Sequence, residues 1–177
     1  MAMKLLTTNT SSNAASSSFT SSIDSTYKLY IFKFYDVNPA TDAANFTFQV
    51  NASSQSGYNE TITSSFFDAY HAEDDSAAVL TYVASKDQAQ GTDFQVLVNG
   101  LGNGADEGCA GELHIFNPSS TTYVTHFYGR GSGYYESNLS LDVFPAGYIN
   151  ATAAITNVQF KMSSGNFDGT IKMYGVG

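Results

Sequence analysis

The longest uninterrupted apolar and aromatic run in the chain is Ser25-Thr26-Tyr27-Lys28-Leu29-Tyr30-Ile31-Phe32-Lys33-Phe34-Tyr35. It contains no Gly, Pro, Asn or Asp, and its Tyr, Phe and Ile side chains favour a pleated, half-buried surface, so it predicts one long strand. Alternate residues of this strand form two faces: Tyr30, Phe32 and Phe34 on one, and Tyr27, Leu29, Ile31, Lys33 and Tyr35 on the other. A strand with one face in water would alternate more cleanly. We therefore expect the core to cover one face, and the N-terminal segment or a neighbouring subunit to cover the other.

Shorter alternating segments extend the strand pattern through the rest of the chain. The segment Phe46–Val50 and a terminal hairpin have period-two alternation, and we count roughly eight to ten strands with no long helix. The 177 residues suit a single domain. The sequence therefore predicts an all-β fold, specifically a two-sheet antiparallel sandwich of jelly-roll type. The inward-facing residues are predicted to be Tyr30, Phe32, Phe34, Phe46, Phe48, Val158, Phe160, Met162, Ile171 and Met173.

The N-terminal residues 1–22 differ in composition from the predicted sandwich domain, residues 23–177. Most of them are Ser, Thr, Asn and Ala, and Phe19 is the candidate anchor of this extended arm. Such a segment buries too little apolar surface to become ordered alone. Two alternatives remain open: the arm folds back on its own domain, or it reaches a neighbour. We expect a homo-oligomer or larger assembly in which the arm is part of the contact.

The charge balance limits the classes of partner. The net charge is −9 and the seven basic residues are scattered singly, which disfavours nucleic acid and anionic membranes as partners. Cys109 is the only cysteine, so no intrachain disulfide can form, and we expect an inert thiol. The first residues include an apolar run too short for a secretion signal.

No motif in the sequence predicts catalysis. There is no Gly-x-Ser-x-Gly nucleophile elbow, and the acidic segments Glu73–Asp75 and Asp106–Glu107 lack the alternating spacing of a calcium loop. We expect no enzymatic activity and no cofactor. The nearest enzymatic alternative is a glycan depolymerase, which requires paired carboxylates in a groove.

A predicted hairpin around the turn Asn117–Thr121 brings three polar side chains together. If the turn is symmetric, Glu112 faces His126 across the two strands, with His114 two residues along on the same face. Two His and one Glu could bind a metal ion, or they could form an ordinary polar cluster on an exposed face. The sequence leaves both alternatives open.

The segment Tyr128-Gly129-Arg130-Gly131-Ser132-Gly133-Tyr134-Tyr135 is predicted to be a glycine-rich loop. Arg130 is the only arginine of the chain, and three tyrosines flank it. Tyr and Arg are enriched in binding hot spots, and tyrosine rings can also stack on sugars. Tyr128, Arg130, Tyr134 and Tyr135 are therefore candidate interface or receptor contacts. The alternative is a hairpin with tyrosines at its base.

Several segments together resemble a family of small virion structural proteins encoded by marine tailed phages. They are the run Tyr27–Tyr35 with the following Asn38–Asp42, and the later segments Leu113–Thr122, Ala154–Asn166 and Gly169–Gly175. The resemblance covers about residues 20–177. It implies a non-catalytic protein that is made in the bacterial cytoplasm and resides in the virion, with copies of itself and other virion proteins as partners.

The resemblance does not distinguish between two locations in a virion. A decoration protein on the capsid exterior, anchored partly by the N-terminal arm, suits the small size and the acidic, hydroxyl-rich composition. A tail-fibre or receptor-binding module that contacts host surface glycan would make use of Arg130 and its tyrosines. We take decoration as the first hypothesis and receptor binding as the alternative.

Overall fold

The computed structural model describes residues 2–177, which form thirteen antiparallel strands and no helix. No helix in this part of the chain is therefore long and apolar enough to cross a membrane. The strands are β1 (Met3–Ala14), β2 (Ser17–Phe19), β3 (Leu29–Pro39), β4 (Ala44–Ala52), β5 (Ile62–Ala72), β6 (Ala78–Tyr82), β7 (Ala89–Gly91), β8 (Gln95–Leu101), β9 (Cys109–Phe116), β10 (Thr125–Tyr135), β11 (Leu139–Ile149), β12 (Ile155–Met162) and β13 (Phe167–Val176).

The strands form one nearly closed, barrel-like sheet in the order β1-β13-β3-β9-β10-β8-β4-β12-β2. Its two ends meet where Asn9 Nδ2 of β1 donates to Ser17 Oγ and to the Ser18 carbonyl of β2, at 3.2 and 3.0 Å. A branch of the sheet begins at β10. Strand β10 pairs with β11, β11 pairs with β5, and β5 pairs with both β6 and β7. The all-β prediction is confirmed, whereas the finer prediction of a jelly-roll sandwich with an extended arm is not.

The N-terminal segment is part of this sheet. β1 pairs with β13 from Met3 to Ala14, and β2 pairs with β12. The Phe19 ring is 2% exposed and packs edge-on against Phe32 and Phe160, at centroid distances of 5.2 and 6.0 Å. Within this chain, the segment folds back on its own domain. A Ser- and Thr-rich segment can do so because ladder hydrogen bonds use the backbone and need few apolar side chains.

Aromatic rings fill the core between opposite walls of the barrel. Phe160 of β12 lies 5.8 Å from Phe46 of β4 and 5.5 Å from Phe32 of β3, while Phe34 lies 5.1 Å from Phe46. The prediction of the core is confirmed, because all of its residues are at most 3% exposed: Tyr30, Phe32, Phe34, Phe46, Phe48, Val158, Phe160, Met162, Ile171 and Met173.

The prediction of a glycine loop at residues 129–133 is wrong, because these residues lie in the middle of strand β10. Gly129, Gly131 and Gly133 alternate with exposed residues and all face the core. A Cβ atom on Gly131 would lie 2.6 Å from Val98 Cγ2, and one on Gly133 would lie 2.8 Å from Leu101 Cδ2. The glycines therefore permit close packing against β8, and their spacing of two residues is the strand period.

Adding one methyl group at this contact should destabilise the protein. We expect Gly131→Ala to lower the free energy of unfolding by about 1–3 kcal/mol, because a β-branched neighbour cannot easily move aside. Urea denaturation followed by circular dichroism measures the change. The matched control is Ser132→Ala on the exposed face of the same strand, which should stay within about 0.5 kcal/mol of wild type. Equal stability of the two variants would contradict the close approach of β8 and β10.

Candidate binding face

The outward-pointing side chains of eight hydrogen-bonded strands form one continuous surface, which we call the outer face. The strands lie in the order β1, β13, β3, β9, β10, β11, β5 and β6. Because successive residues of a strand point to opposite sides, the burial of one set in the core places the other set here. One row of side chains crosses the face from strand to strand: Thr8, Lys172, Lys33, Glu112, Arg130, Phe144, Phe67 and Tyr82.

Two ion pairs occupy the centre of the outer face. Lys33 Nζ lies 3.1 Å from Glu112 Oε2, and the guanidinium of Arg130 makes two parallel hydrogen bonds to Asp142, at 3.0 and 2.6 Å. Exposed pairs of this kind contribute little to stability. The fork-to-fork geometry of the second pair nevertheless fixes the direction in which both side chains point.

Glu112 also binds the imidazole of His114, whose Nε2 lies 2.8 Å from Glu112 Oε1. Partial burial raises the pKa of the Glu112 carboxyl, but the hydrogen bonds with His114 and Lys33 outweigh this effect, so the pKa lies below its ordinary value. Glu112 is therefore ionised at neutral pH. A carboxylate in this state can accept hydrogen bonds but cannot serve as a general acid.

Aromatic side chains flank the charged centre on both sides. On one side, the His114 ring stacks on Tyr128 at 4.5 Å. On the other, Phe67 stacks on Phe144 at 4.9 Å, and the Arg130 guanidinium lies 5.2 Å from the Phe144 ring. Tyr128 is 45% exposed in this arrangement. The outer face therefore offers aromatic surface next to oriented charges, the combination enriched in binding hot spots.

A groove of about 610 Å³ runs over the centre of the outer face. Its lining includes small residues of β9 and β10, the four side chains of the two ion pairs, and the hydroxyl groups of tyrosine and serine residues. Tyr35 lies at one end and Ser140 at the other. Fixed donors and acceptors beside an aromatic ring suit the binding of a polar or hydroxyl-rich ligand.

The candidate contacts predicted from the sequence are only partly brought together. Tyr128, Arg130 and Tyr134 point outward along β10, with Tyr134 Oη 3.0 Å from Asn138 Oδ1. Tyr135 instead packs against the core. Sequence reasoning did not place Lys33 or Asp142 beside Arg130, because strand register brings them together from distant parts of the chain.

The predicted pairing of Glu112 with His126 is wrong. Strand β10 begins only at Thr125, so the connection after β9 is longer than a tight turn, and Glu112 faces Arg130 instead. His126 faces Tyr148 of β11 and lies away from Glu112. Among residues 2–177, no group of three or more His, Cys, Asp and Glu side chains could hold a metal ion. The Cys109 thiol is buried, which raises its pKa strongly.

Comparisons with known proteins add no family assignment. The sequence matches no protein-family model, and neither the curated proteins nor the solved structures give a match.

A buried carboxyl lies on the inner side of β5, beneath the branch that carries part of the outer face. Asp68 is 4% exposed, and Asn99 Nδ2 of β8 donates to its Oδ2 at 3.3 Å. Asp68 Oδ1 and Asn99 Oδ1 have no hydrogen-bond partner among the described residues. Burial raises the pKa of Asp68, and the hydrogen bond from Asn99 lowers it by less. The native state therefore binds a proton at Asp68 more tightly than the unfolded state does.

This linkage predicts that Asp68→Asn stabilises the protein at neutral pH. Because the pKa of Asp68 is raised in the native state, protonated Asp68 contributes fully to the free energy of unfolding below the unfolded pKa of about 3.9. This contribution is lost as the pH rises through the native pKa. An amide keeps the neutral state and can also donate to Asn99. We expect a gain on the order of 1–3 kcal/mol at pH 7 that shrinks toward pH 4, measured by urea denaturation. A variant less stable than wild type at pH 7 would contradict this assignment.

Proposed function

We propose that the protein is a non-catalytic structural component of a tailed-phage virion that decorates the capsid exterior. In this proposal, it is made in the bacterial cytoplasm and binds copies of itself and other virion proteins. The observation that supports the proposal best is the uneven distribution of exposed apolar side chains. Of the nine large exposed hydrophobic residues described, seven lie on the outer face: Met3, Leu5, Tyr35, Phe67, Leu80, Tyr82 and Tyr128. Exposed apolar side chains concentrated on the outer face, next to charged and polar residues, are typical of an interaction surface.

The charges of the outer face also suit contact with other proteins. The chain carries a net charge of −9, yet the outer face has Lys33, Arg130 and Lys172 against Glu112 and Asp142. A locally balanced surface on an acidic protein can approach a neutral or acidic partner with less repulsion than the remaining surface. The acidic surface elsewhere then faces solvent and favours solubility.

The N-terminal segment supports anchoring in a different way from a free arm. As strand β1 it occupies one end of the outer face, where Met3 and Leu5 are 51% and 48% exposed. The segment would therefore contribute to attachment as a strand of this face.

The state of the groove carboxylates supports a binding role over hydrolysis. Glycoside hydrolysis needs one carboxyl with a raised pKa as the acid and a second as base or nucleophile. Glu112 has a lowered pKa, and Asp142 is engaged by Arg130 through both of its oxygens. Neither carboxyl is arranged to donate a proton.

The groove itself favours a second candidate function, contact with host surface glycan as part of a tail fibre or receptor-binding module. Its bidentate Arg130–Asp142 pair offers donors and acceptors at fixed spacing, and the Tyr35 ring is 38% exposed beside them. Neighbouring sugar hydroxyls can bind such paired groups.

The number of copies per particle distinguishes the two locations. For decoration, quantitative mass spectrometry of purified virions should give copies comparable to the capsid subunit count, because a decoration protein binds a repeated shell lattice. A count far below that of the capsid subunit would contradict decoration.

A low count would make Arg130→Ala the decisive variant. Receptor binding then requires that this variant loses host adsorption while virions still assemble. Lys161→Ala is the matched control, since Lys161 lies over the Phe94 ring at 4.1 Å, away from the outer face. Equal adsorption of the two variants would exclude the groove as the receptor site.

A further inference from the structure

Strand β6 leaves one edge of the sheet open. It pairs with β5 on one side and with no strand of residues 2–177 on the other. All five residues, Ala78-Val79-Leu80-Thr81-Tyr82, are exposed, and Leu80 and Tyr82 are 71% and 55% exposed. Proteins usually protect such edges with charged residues, proline or a bulge, and β6 has none of these. An unprotected, apolar edge of this kind is suited to pairing with another strand.

The hydrogen bonds to β5 determine which peptide groups face the open edge. Val83 N–H donates to the Phe66 carbonyl and Ala72 N–H donates to the Ala77 carbonyl. Antiparallel pairs alternate between bonded and non-bonded, so the odd-numbered residues of β6 bond to β5. The N–H and C=O groups of the even-numbered residues Ala78, Leu80 and Tyr82 therefore point away from β5 and lack a partner strand.

We propose that two copies of this chain associate by antiparallel pairing of β6 with β6 about a two-fold axis at Leu80. In this register, Leu80 pairs with Leu80 of the second copy, and Ala78 pairs with Tyr82 of the second copy. The three residues whose peptide groups point to the open edge, Ala78, Leu80 and Tyr82, then all lie in hydrogen-bonded pairs. Every open N–H group of both strands finds a carbonyl. The even-numbered residues are symmetric about Leu80, so the edge is complementary to itself, as a two-fold interface requires.

The side chains are compatible with the same register. Leu80, Tyr82 and Ala78 all point to the outer face, opposite Ala69, Phe67 and His71 of β5. The two leucines would meet at the axis, and each Tyr82 ring would lie beside the small Ala78 of the other copy. The aromatic row that ends in Phe67 and Tyr82 would continue into the second molecule.

The absence of charge on β6 permits a second copy as the partner. Two molecules with a net charge of −9 repel each other over most of their surface, but β6 contains no charged residue. The two copies can therefore approach at this edge with less repulsion than elsewhere, and the symmetry of the open peptide groups about Leu80 suits a second copy of the chain.

This inference deepens the proposed assembly role by naming a partner. The test uses the isolated protein, so its failure would leave the proposed place in a virion unaffected. Sedimentation equilibrium over a range of concentrations should show a monomer–dimer equilibrium for the wild type.

Two substitutions at the axis should weaken the dimer without unfolding the domain. Leu80→Lys places two like charges opposite each other and should raise the dimer Kd roughly 100-fold. Leu80→Pro removes an N–H group that points to the open edge, so the β5 ladder should remain intact while the dimer is lost. Thermal melting followed by circular dichroism checks that both variants are folded.

The matched control is Leu5→Lys, which changes an exposed leucine at the opposite end of the outer face and should leave the dimer Kd unchanged. The proposal is overturned if the wild type is monomeric at every concentration, or if folded Leu80→Lys associates as the wild type does. Binding of a different virion protein by a monomeric wild type, lost in Leu80→Pro, would likewise overturn it and assign the edge to that protein.

Discussion

The packing of the Phe160 ring against Phe46 and Phe32 is the contact on which the rest of the structure depends. It joins β12 and β4 on one wall of the barrel to β3 on the other, and Phe19 adds β2 to the same cluster. Aromatic rings of this size supply much of the apolar area buried in a small domain. Because a strand alternates strictly, the inward position of Phe32 also fixes the outward position of Lys33. The core thus determines the composition of the outer face.

The glycines of β10 also link the packing of the core to the composition of the outer face. Close approach of β8 and β10 leaves no room for a side chain at Gly131 or Gly133. The residues that alternate with the glycines of β10 point to the outer face, and Arg130, between Gly129 and Gly131, is one of them. Because the inward-facing glycines of β10 pack closely against β8, this strand holds the only arginine of the chain at a rigid position on the outer face. A flexible loop would give up more conformational entropy to hold the same side chain for binding.

The core and the strand class were predictable from the sequence because they depend on local alternation. Tyr30, Phe32 and Phe34 reveal their face within five residues. Strand register was not predictable from local alternation. The length of the connection after Phe116 depends on where β10 begins, and pairing with other strands of the sheet determines that position. The glycines at positions 129, 131 and 133 have the strand period of two, but glycine is also typical of flexible loops, so the sequence predicts a loop where the structure has strand β10. The ion pairs of the outer face join residues more than ten positions apart, as with Lys33 and Glu112, so only the folded sheet brings them together.

Hydroxyl-radical footprinting of the tyrosines, compared between the free protein and virions, tests most directly whether the outer face is the surface used in assembly. Tyr35, Tyr82 and Tyr128 lie on that face, whereas Tyr58 lines a separate groove over β4 and β12. The account predicts that the first three lose reactivity in the virion while Tyr58 keeps it. Unchanged reactivity of the outer tyrosines together with protection of Tyr58 would contradict the account.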